Sequence, residues 1–538
     1  MTTLSAIDPP IRDTKAVKLP PRTVSAVLAL ALVLVAAAAI AYAATRSGTP
    51  AAHRATTKGT TEATTKAHTA ATATLSVQTT TEGNPIPPGF VGLTTEYRGL
   101  EEYAGSNPAA LDPVFEQLIR NLAPGQSPVL RIGGDSTDWT WWPVPHMATP
   151  GGVKYTLNKN WLEVTSALAK SLDARLILGI NFEADSGRVA GAEGQAFVNG
   201  LGRAQIDALE LGNEPELYAA FPWYKLPDGQ HVRGRPPTYN YSAFIHDFAN
   251  VSRSIPGSVT LAGPSTGAST WIPLLGQFLD ANRHVGLATL HRYPLKHCTP
   301  TTKVTIPEIL SSASSTGLAQ SVAGAAASAR AHGIPLRIDE MSAISCGGVQ
   351  GVSDSFATAL WSLDVSFAMA RVGVNGVNMQ TAPGSFNELF AVAQAGSTWE
   401  ASVHPAYYGL MMFAQAAPPG SQLLKISGSA GTDVDAWATR ATDGDVRVVL
   451  INDDTARAHT ITVQLPPLAG PAALERLQAP SAAATTGVTI SGQSFGSETT
   501  TGNLTGTSTL ALAKPTAANQ YVITVPAASA ALLTVLAK

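Results

Sequence analysis

The chain has 538 residues, too many for one ordinary domain, and a formal net charge of −3 with only 14% charged side chains. So neutral a chain has no bulk pull toward nucleic acid, and no nucleic-acid partner is expected. Its two cysteines, Cys298 and Cys346, make no CxxC or zinc spacing, and neither HExxH nor a P-loop occurs, so no metal or organic cofactor is expected.

Residues 1–23 carry Arg12, Lys15, Lys18 and Arg22 ahead of an apolar run, Val24 to Ala44, broken only by Ser25. About 21 apolar residues suffice to span a bilayer, and basic residues before them favour a cytoplasmic amino terminus. Ala41-Tyr42-Ala43 resembles a cleavage site, so residues 24–44 are either a membrane anchor or a signal peptide. Either one delivers the rest of the chain to the extracellular face or to the medium. Residues 45–73, rich in Thr and Ala, read as a disordered linker.

Within residues 74–88, Thr74-Leu75-Ser76-Val77 reads as a strand that joins the carboxy-terminal domain. From 89 to 415 strands and helices alternate. The candidate strands are Phe90–Thr95, Pro128–Gly133, Arg175–Asn181, Ile206–Leu211, Ser258–Gly263, Val285–His291, Pro335–Asp339 and Asn375–Gln380. Pro113–Leu122, Trp161–Leu172, Tyr241–Ser254 and Ser353–Arg371 read as helices between them. Eight strands with crossovers predict a (β/α)8 TIM barrel, with a doubly wound sheet as the alternative. From 416 to 538 short runs such as Arg447–Asn452, Thr460–Leu465 and Tyr521–Val525 alternate with turns, which predicts an all-β sandwich domain. The fold class is therefore α/β, a barrel followed by a sandwich.

Chemistry concentrates at strand ends. Ile206–Leu211 alternates apolar and polar residues until Gly212 and Pro215 punctuate it, so Asn213 and Glu214 fall at the carboxyl end of strand four. Glu340 closes strand seven on the opposite wall. Two carboxylates facing one cleft are what glycoside hydrolysis requires. Asp339, adjacent in a strand, is expected to point the other way. A competing motif, Gly263-Pro264-Ser265-Thr266-Gly267, matches the GxSxG nucleophile elbow, with Asp339 and His404 later in triad order. A serine esterase is thus a remote alternative, and the poor helix start from Ala268 to Pro273 argues against it.

Longer stretches carry a family likeness. Arg131-Ile132-Gly133-Gly134-Asp135-Ser136, Asn213-Glu214-Pro215, His291-Arg292-Tyr293-Pro294, Asp339-Glu340-Met341-Ser342 and His404-Pro405-Ala406-Tyr407-Tyr408-Gly409 together resemble glycoside hydrolase family 79, of the retaining (β/α)8 clan. That family includes β-glucuronidases and heparanases. The resemblance implies Glu214 as acid/base and Glu340 as nucleophile. It implies Asn213 on the sugar 2-hydroxyl, Tyr293 holding Glu340 with His291 close by, and Glu96 and Asp135 on other hydroxyls. A helix N-cap is the competing reading of Asp135. Trp139, Trp141 and Trp142 are either sugar-stacking rings or core. Members that bind glucuronic acid grip its carboxylate with a Gly-x-Tyr loop after strand eight. Here the loop reads Gly384-Ser385-Phe386, which keeps the backbone donors of Gly384 and Phe386 but lacks the phenol. Lys296, His297 or another tyrosine would have to compensate. The expected activity is an exo-acting retaining β-glucuronidase on a carbohydrate or glycoconjugate. A β-glucosidase or β-xylosidase in the same site, or a non-catalytic carbohydrate-binding protein, are the alternatives.

Cys298 follows strand six and Cys346 follows strand seven. Neighbouring strands bring such loops within disulfide reach, and the expected oxidising compartment would preserve a Cys298–Cys346 bond.

Overall fold

The computed structural model describes residues 72–467 and 472–537. The apolar run of 24–44 and the residues on either side of it, through 71, lie outside the described residues. Among the described residues, no helix is long and apolar enough to cross a membrane.

The first described strand, β1 (Thr72–Glu82), belongs to the far end of the chain and is taken up below. The barrel strands follow as β2 (Val91–Glu96), β3 (Val129–Gly133), β4 (Arg175–Ile180) and β5 (Ile206–Leu211). After them come β6 (Leu261–Thr266), β7 (Val285–Arg292), β8 (Leu336–Met341) and β9 (Gly376–Gln380). Each pairs in parallel with its neighbours in chain order, and β9 pairs with β2, so the barrel closes. An open doubly wound sheet is excluded by that closure. The expected strand Ser258–Gly263 instead begins at Leu261 and runs on through Pro264, because Pro264 sits in register with Thr289 and needs no N–H to stay there. Ser265 therefore lies inside a strand.

Helices cover the outside for readable reasons. In α1 (Pro113–Leu122), Pro113 opens the first turn and Asp112 caps the amide of Val114 at 2.8 Å, while Val114, Phe115, Leu118, Ile119 and Leu122 face inward. The helix α2 (Phe356–Arg371) is buried from Phe356 to Ala370, because it is clamped between barrel and β domain and has no solvent face to pattern.

The carboxy-terminal domain contains β10 (Gln422–Gly428), β11 (Val434–Arg440), β12 (Val446–Asn452) and β13 (His459–Gln464), with further strands to Val535. They form one ten-stranded sheet curled over its own core of Leu75, Val77, Val448, Ile461, Ile523 and Leu533, among others. The strand β1 runs between β10 and β13, antiparallel to the first and parallel to the second. The sheet is also tied to the barrel. Trp437 of β11 stacks on Phe367 of α2 at 5.5 Å and donates its indole N–H to Asp364 at 2.6 Å. Burying that contact fixes the wall from which β9 rises.

Candidate active site

The site is built around one guanidinium. Arg131 points into the barrel from β3 and is fully buried. Its Nε donates to Glu210 Oε2 at 2.7 Å, Nη1 to Glu340 Oε2 at 2.8 Å, and Nη2 to Asn213 Oδ1 at 2.9 Å. One cation thus orients residues from the ends of the fourth and seventh barrel strands. Two residues before Arg131 and Glu210, on the same inward faces, Val129 and Ala208 join Ile177, Ala262 and Leu287 in a dry layer that closes the barrel beneath.

Glu214 stands just past β5, in a left-handed backbone conformation at φ 45°, where its amide donates to the carbonyl of Ser265. This unusual turn lifts its half-buried carboxylate over the cleft. His291 lies between the two carboxylates, its Nδ1 3.1 Å from Glu214 Oε1 and 3.9 Å from Glu340 Oε1. Oxygens of Glu214 and Glu340 approach within 4.8 Å of each other. Burial alone lowers the imidazole pKa, but the carboxylates, led by Glu340, overcome it and hold His291 up at about 10. Tyr293 donates its hydroxyl to Glu340 Oε1 at 2.8 Å. Burial pushes Glu340 up, yet His291, Arg131 and Tyr293 together hold it below the ordinary carboxylate value.

The remaining predicted residues line the same cleft in different degrees. Glu96 ends β2 and accepts the amide of Ser136 at 2.8 Å, and burial, with the charge of Glu340 adding, holds it up at about 7. Asp135 opens a short 3-10 turn after β3, is more than a third exposed, and lies 3.4 Å from Asn213 Nδ2. It lies inside that turn, whose capping position is Gly133. Of the three tryptophans, Trp141 is core and donates to Thr156, Trp142 packs partly buried against the core, and Trp139 lies under the ammonium of Lys154 at 3.4 Å.

The loop after β9 departs from the expectation of free backbone donors. The Gly384 amide donates to Glu388 Oε2 at 3.2 Å and that of Ser385 to Ala382 O at 3.0 Å. Phe386 N–H goes to Gly347 O at 2.9 Å and Asn387 N–H to Ser385 Oγ at 3.1 Å. All four amides are engaged, because the loop folds back on itself and on Gly347, while the Phe386 ring is left 41% exposed. Nor is His297 free, since its Nδ1 bonds to Thr302 O at 2.8 Å. The predicted Cys298–Cys346 disulfide is present, with Cα atoms 5.2 Å apart, and it anchors the turn that presents Gly347.

Alternation fails at Asp339. Pairing is irregular between β7 and β8 beside His291, and between β8 and β9 after Ile338. The twist this introduces brings both Asp339 and Glu340 to Arg131, at 3.2 and 2.8 Å. Sequence reasoning also passed over Asp138, a buried carboxylate that accepts the amides of Phe182, Glu183 and Asn213 and the hydroxyl of Tyr218. It joins the loops after β4 and β5 and so sets where Asn213 stands. A charged residue inside an otherwise apolar strand, Arg131 in Val129–Gly133, was the signal that could have exposed this network.

The carboxylates do gather closely enough to suggest a cation. Glu210, His291 and Asp339 form one such group, and Glu214, His291 and Glu340 another. The guanidinium of Arg131 already contacts oxygens in each, so a divalent ion would meet a fixed positive charge there. Ser265 Oγ lies 3.0 Å from His291 Nε2, as an esterase triad would have it, but Ser265 is fully buried and no helix follows it directly, so its hydroxyl meets no substrate.

Residues 436–532 match the glycosyl hydrolase family 79 C-terminal beta domain. A β-glucuronidase of Neurospora crassa is 24% identical over 396 residues, covering 64% of this chain and 67% of that protein. A β-glucuronidase of Aspergillus niger is 24% identical over 470 residues, covering 77% and 84% respectively. Among solved structures, the 4-O-α-L-rhamnosyl-β-D-glucuronidase of Fusarium oxysporum 12S superimposes with a TM-score of 0.65 at 20% identity, over 86% of this chain and all of that one. The family 51 arabinofuranosidase of Xanthomonas axonopodis pv. citri gives 0.59 at 16% identity, over 86% of this chain and 99% of its own. These superpositions speak to the shared barrel-and-sheet fold.

Proposed function

We propose that this chain, a glycoside hydrolase allied to family 79, is an exo-acting, retaining β-glucuronidase working outside the cytoplasmic membrane. The observation that carries the retaining mechanism is the approach of Glu214 and Glu340 to within 4.8 Å, with His291 between them. Retaining pairs stand about 5–5.5 Å apart, whereas inverting pairs leave about 6.5–9.5 Å for a water. Glu340, kept ionised by Arg131, His291 and Tyr293, attacks the anomeric carbon while Glu214 gives its proton to the departing oxygen. Glu214 then takes a proton from the water that releases the sugar. Asn213, fixed by Arg131, is set to bind the 2-hydroxyl, and Glu96 and Asp135 to accept hydrogen bonds from others. The disulfide supports an oxidising location.

The β-glucuronidase relatives favour a glucuronide. A neutral β-glucoside or β-xyloside is the second reading, favoured by the four engaged amides of residues 384–387. Chromogenic β-glycosides decide between them. A glucuronidase turns over the glucuronide with the highest kcat/KM, and Phe386→Tyr improves it by supplying a hydrogen bond to a charge, worth about 1.5–3 kcal/mol. Preference for the glucoside would sink the uronic-acid assignment, and binding without turnover of any glycoside would favour a carbohydrate-binding protein.

A further inference from the structure

Directly beneath Glu340 lies a group of buried charges with too few hydrogens. Arg131 Nε carries one hydrogen, and Glu210 Oε2, at 2.7 Å, takes it. Asp339 Oδ2 stands 3.2 Å from the same nitrogen and receives no hydrogen bond. Neither oxygen of Asp339 finds a donor, and the one spare donor beside Glu210 is the hydroxyl of Thr289. Both side chains are completely shielded from water. An ionised carboxylate with no donor to either oxygen is among the costliest groups a fold can bury.

The other charged neighbours do not relieve it. His291, reaching in from β7, holds Nε2 3.7 Å from Asp339 Oδ1 but directs it at Ser265 Oγ, 3.0 Å away. Arg337, two residues earlier on β8, spends its guanidinium on Asn378 and on the carbonyls of Gly89 and Phe90. Glu340 adds a further negative charge on the cleft side. Three carboxylates, Glu210, Asp339 and Glu340, thus press on the one guanidinium of Arg131, and a proton on one of them relieves the crowding. Glu210 and Asp339 have oxygens within 4.8 Å of each other, so the unsatisfied atoms face a common space.

We propose that Asp339 is a neutral carboxylic acid that donates its proton to Glu210, and that this pair is a positioning device for Arg131. The electrostatics agree. Burial and the charge of Glu210 push Asp339 far above the usual carboxylate range, whereas, against its own burial, Glu210 is held below that range by Arg131. The consequence is electrostatic. With Asp339 neutral, Arg131 meets one carboxylate at Nε and one at Nη1, and its remaining charge is delivered to Glu340 and Asn213. An ionised Asp339 would compete with Glu340 for that guanidinium and make the nucleophile harder to keep ionised. The catalytic consequence rests on Glu340 being the nucleophile, but the protonation does not.

Infrared difference spectroscopy of the resting full chain at neutral pH reads the proton directly. The expected spectrum of wild type minus Asp339→Asn shows the carbonyl band of a buried protonated carboxyl, shifted in deuterium oxide. Asp339→Leu should lose the same band, so the assignment survives if one variant fails to fold. Kinetics supply the second readout. Asp339→Asn, whose carboxamide can donate to Glu210 as the acid does, is expected to keep kcat/KM within about threefold, while Asp339→Leu, which leaves Glu210 without that donor, loses about a hundredfold, chiefly in kcat. Absence of the band, or an Asn variant as damaged as the Leu variant, overturns the proposal. A wild-type chain inactive on every glycoside would overturn the hydrolase reading instead, and the band would still decide this one.

Discussion

Tyr293→Phe isolates the hydrogen bond that keeps Glu340 ready to attack. The phenol donates to Glu340 Oε1 at 2.8 Å in a buried setting and can do so only while that oxygen is an acceptor. A buried hydrogen bond to a charged group contributes about 1.5–3 kcal/mol, and 1.36 kcal/mol corresponds to one pKa unit. Removing the donor should therefore raise the pKa of Glu340 by about one to two units. Arg131 and His291 remain, so the carboxylate is still held down, only less firmly. The sign follows from the role. Glu340 must be ionised to act, its ionised form lies above its pKa, and raising that pKa moves the acid limb of kcat/KM to higher pH. Activity is lost first at low pH, and the plateau at higher pH falls by a smaller factor that reflects looser orientation. The assay is the pH profile of kcat/KM on an activated aryl glycoside, for which proton donation matters least. An acid limb that stays in place would refute the reasoning, because it would mean that the group titrating there is not the one Tyr293 touches.

Glu214→Gln should keep hydrolysis of substrates with very good leaving groups and give a β-glycosyl azide when azide is added, while Glu340→Gln should form no trapped intermediate with a 2-fluoro sugar, as mass spectrometry of the intact chain would show. An inverted product anomer would remove the nucleophile role from Glu340. Replacing Cys298 by Ser opens a loop whose ends are 48 residues apart, so the chain should lose about 4 kcal/mol of stability in the chain-entropy treatment, measured by denaturant unfolding. KM should also rise more than kcat falls, because the turn at Gly347 holds Phe386 and Ser385. With Asp339 protonated in the fold, as proposed above, and ionising near pH 4 when unfolded, folding takes up a proton above that pH and wild-type stability falls as pH rises. Asp339→Asn lacks this slope and should gain on the wild type by about 1.4 kcal/mol per pH unit from about pH 4 through neutrality, whereas parallel stability curves would show that Asp339 is ionised in both states.

The barrel was legible because short apolar-rich runs recur between helices with visible starts. Ile206–Leu211 and Pro113–Leu122 fall where the residues put them. Glu214 and Glu340 were legible for the same reason, since a strand's end can be read from a glycine or a break in alternation. Long-range hydrogen bonding was not legible. Nothing in Gly384-Ser385-Phe386 says that its amides will be spent on Gly347, Ala382 and Glu388, because those partners are chosen by how two loops pack. The position of Asp138 beneath Asn213 likewise depends on three loops meeting, and no local pattern encodes it.

The instructive departure is Asp339. Strict alternation assigns it to the outer face of the barrel, toward the surrounding helices. The irregular pairing on both sides of β8 turns it inward, next to Glu340 and against the same guanidinium. A local break in a parallel ladder gives up regular hydrogen bonds, so a compensating interaction is required. Arg131 alone does not supply it, since its single Nε hydrogen is already committed to Glu210. A proton shared between Glu210 and Asp339 does, and it leaves Arg131 with one ionised carboxylate below, Glu210, and one on the cleft side, Glu340. On this view the irregularity in β8 is what places two adjacent carboxyls on one side of the strand, one kept neutral below and one kept ionised above.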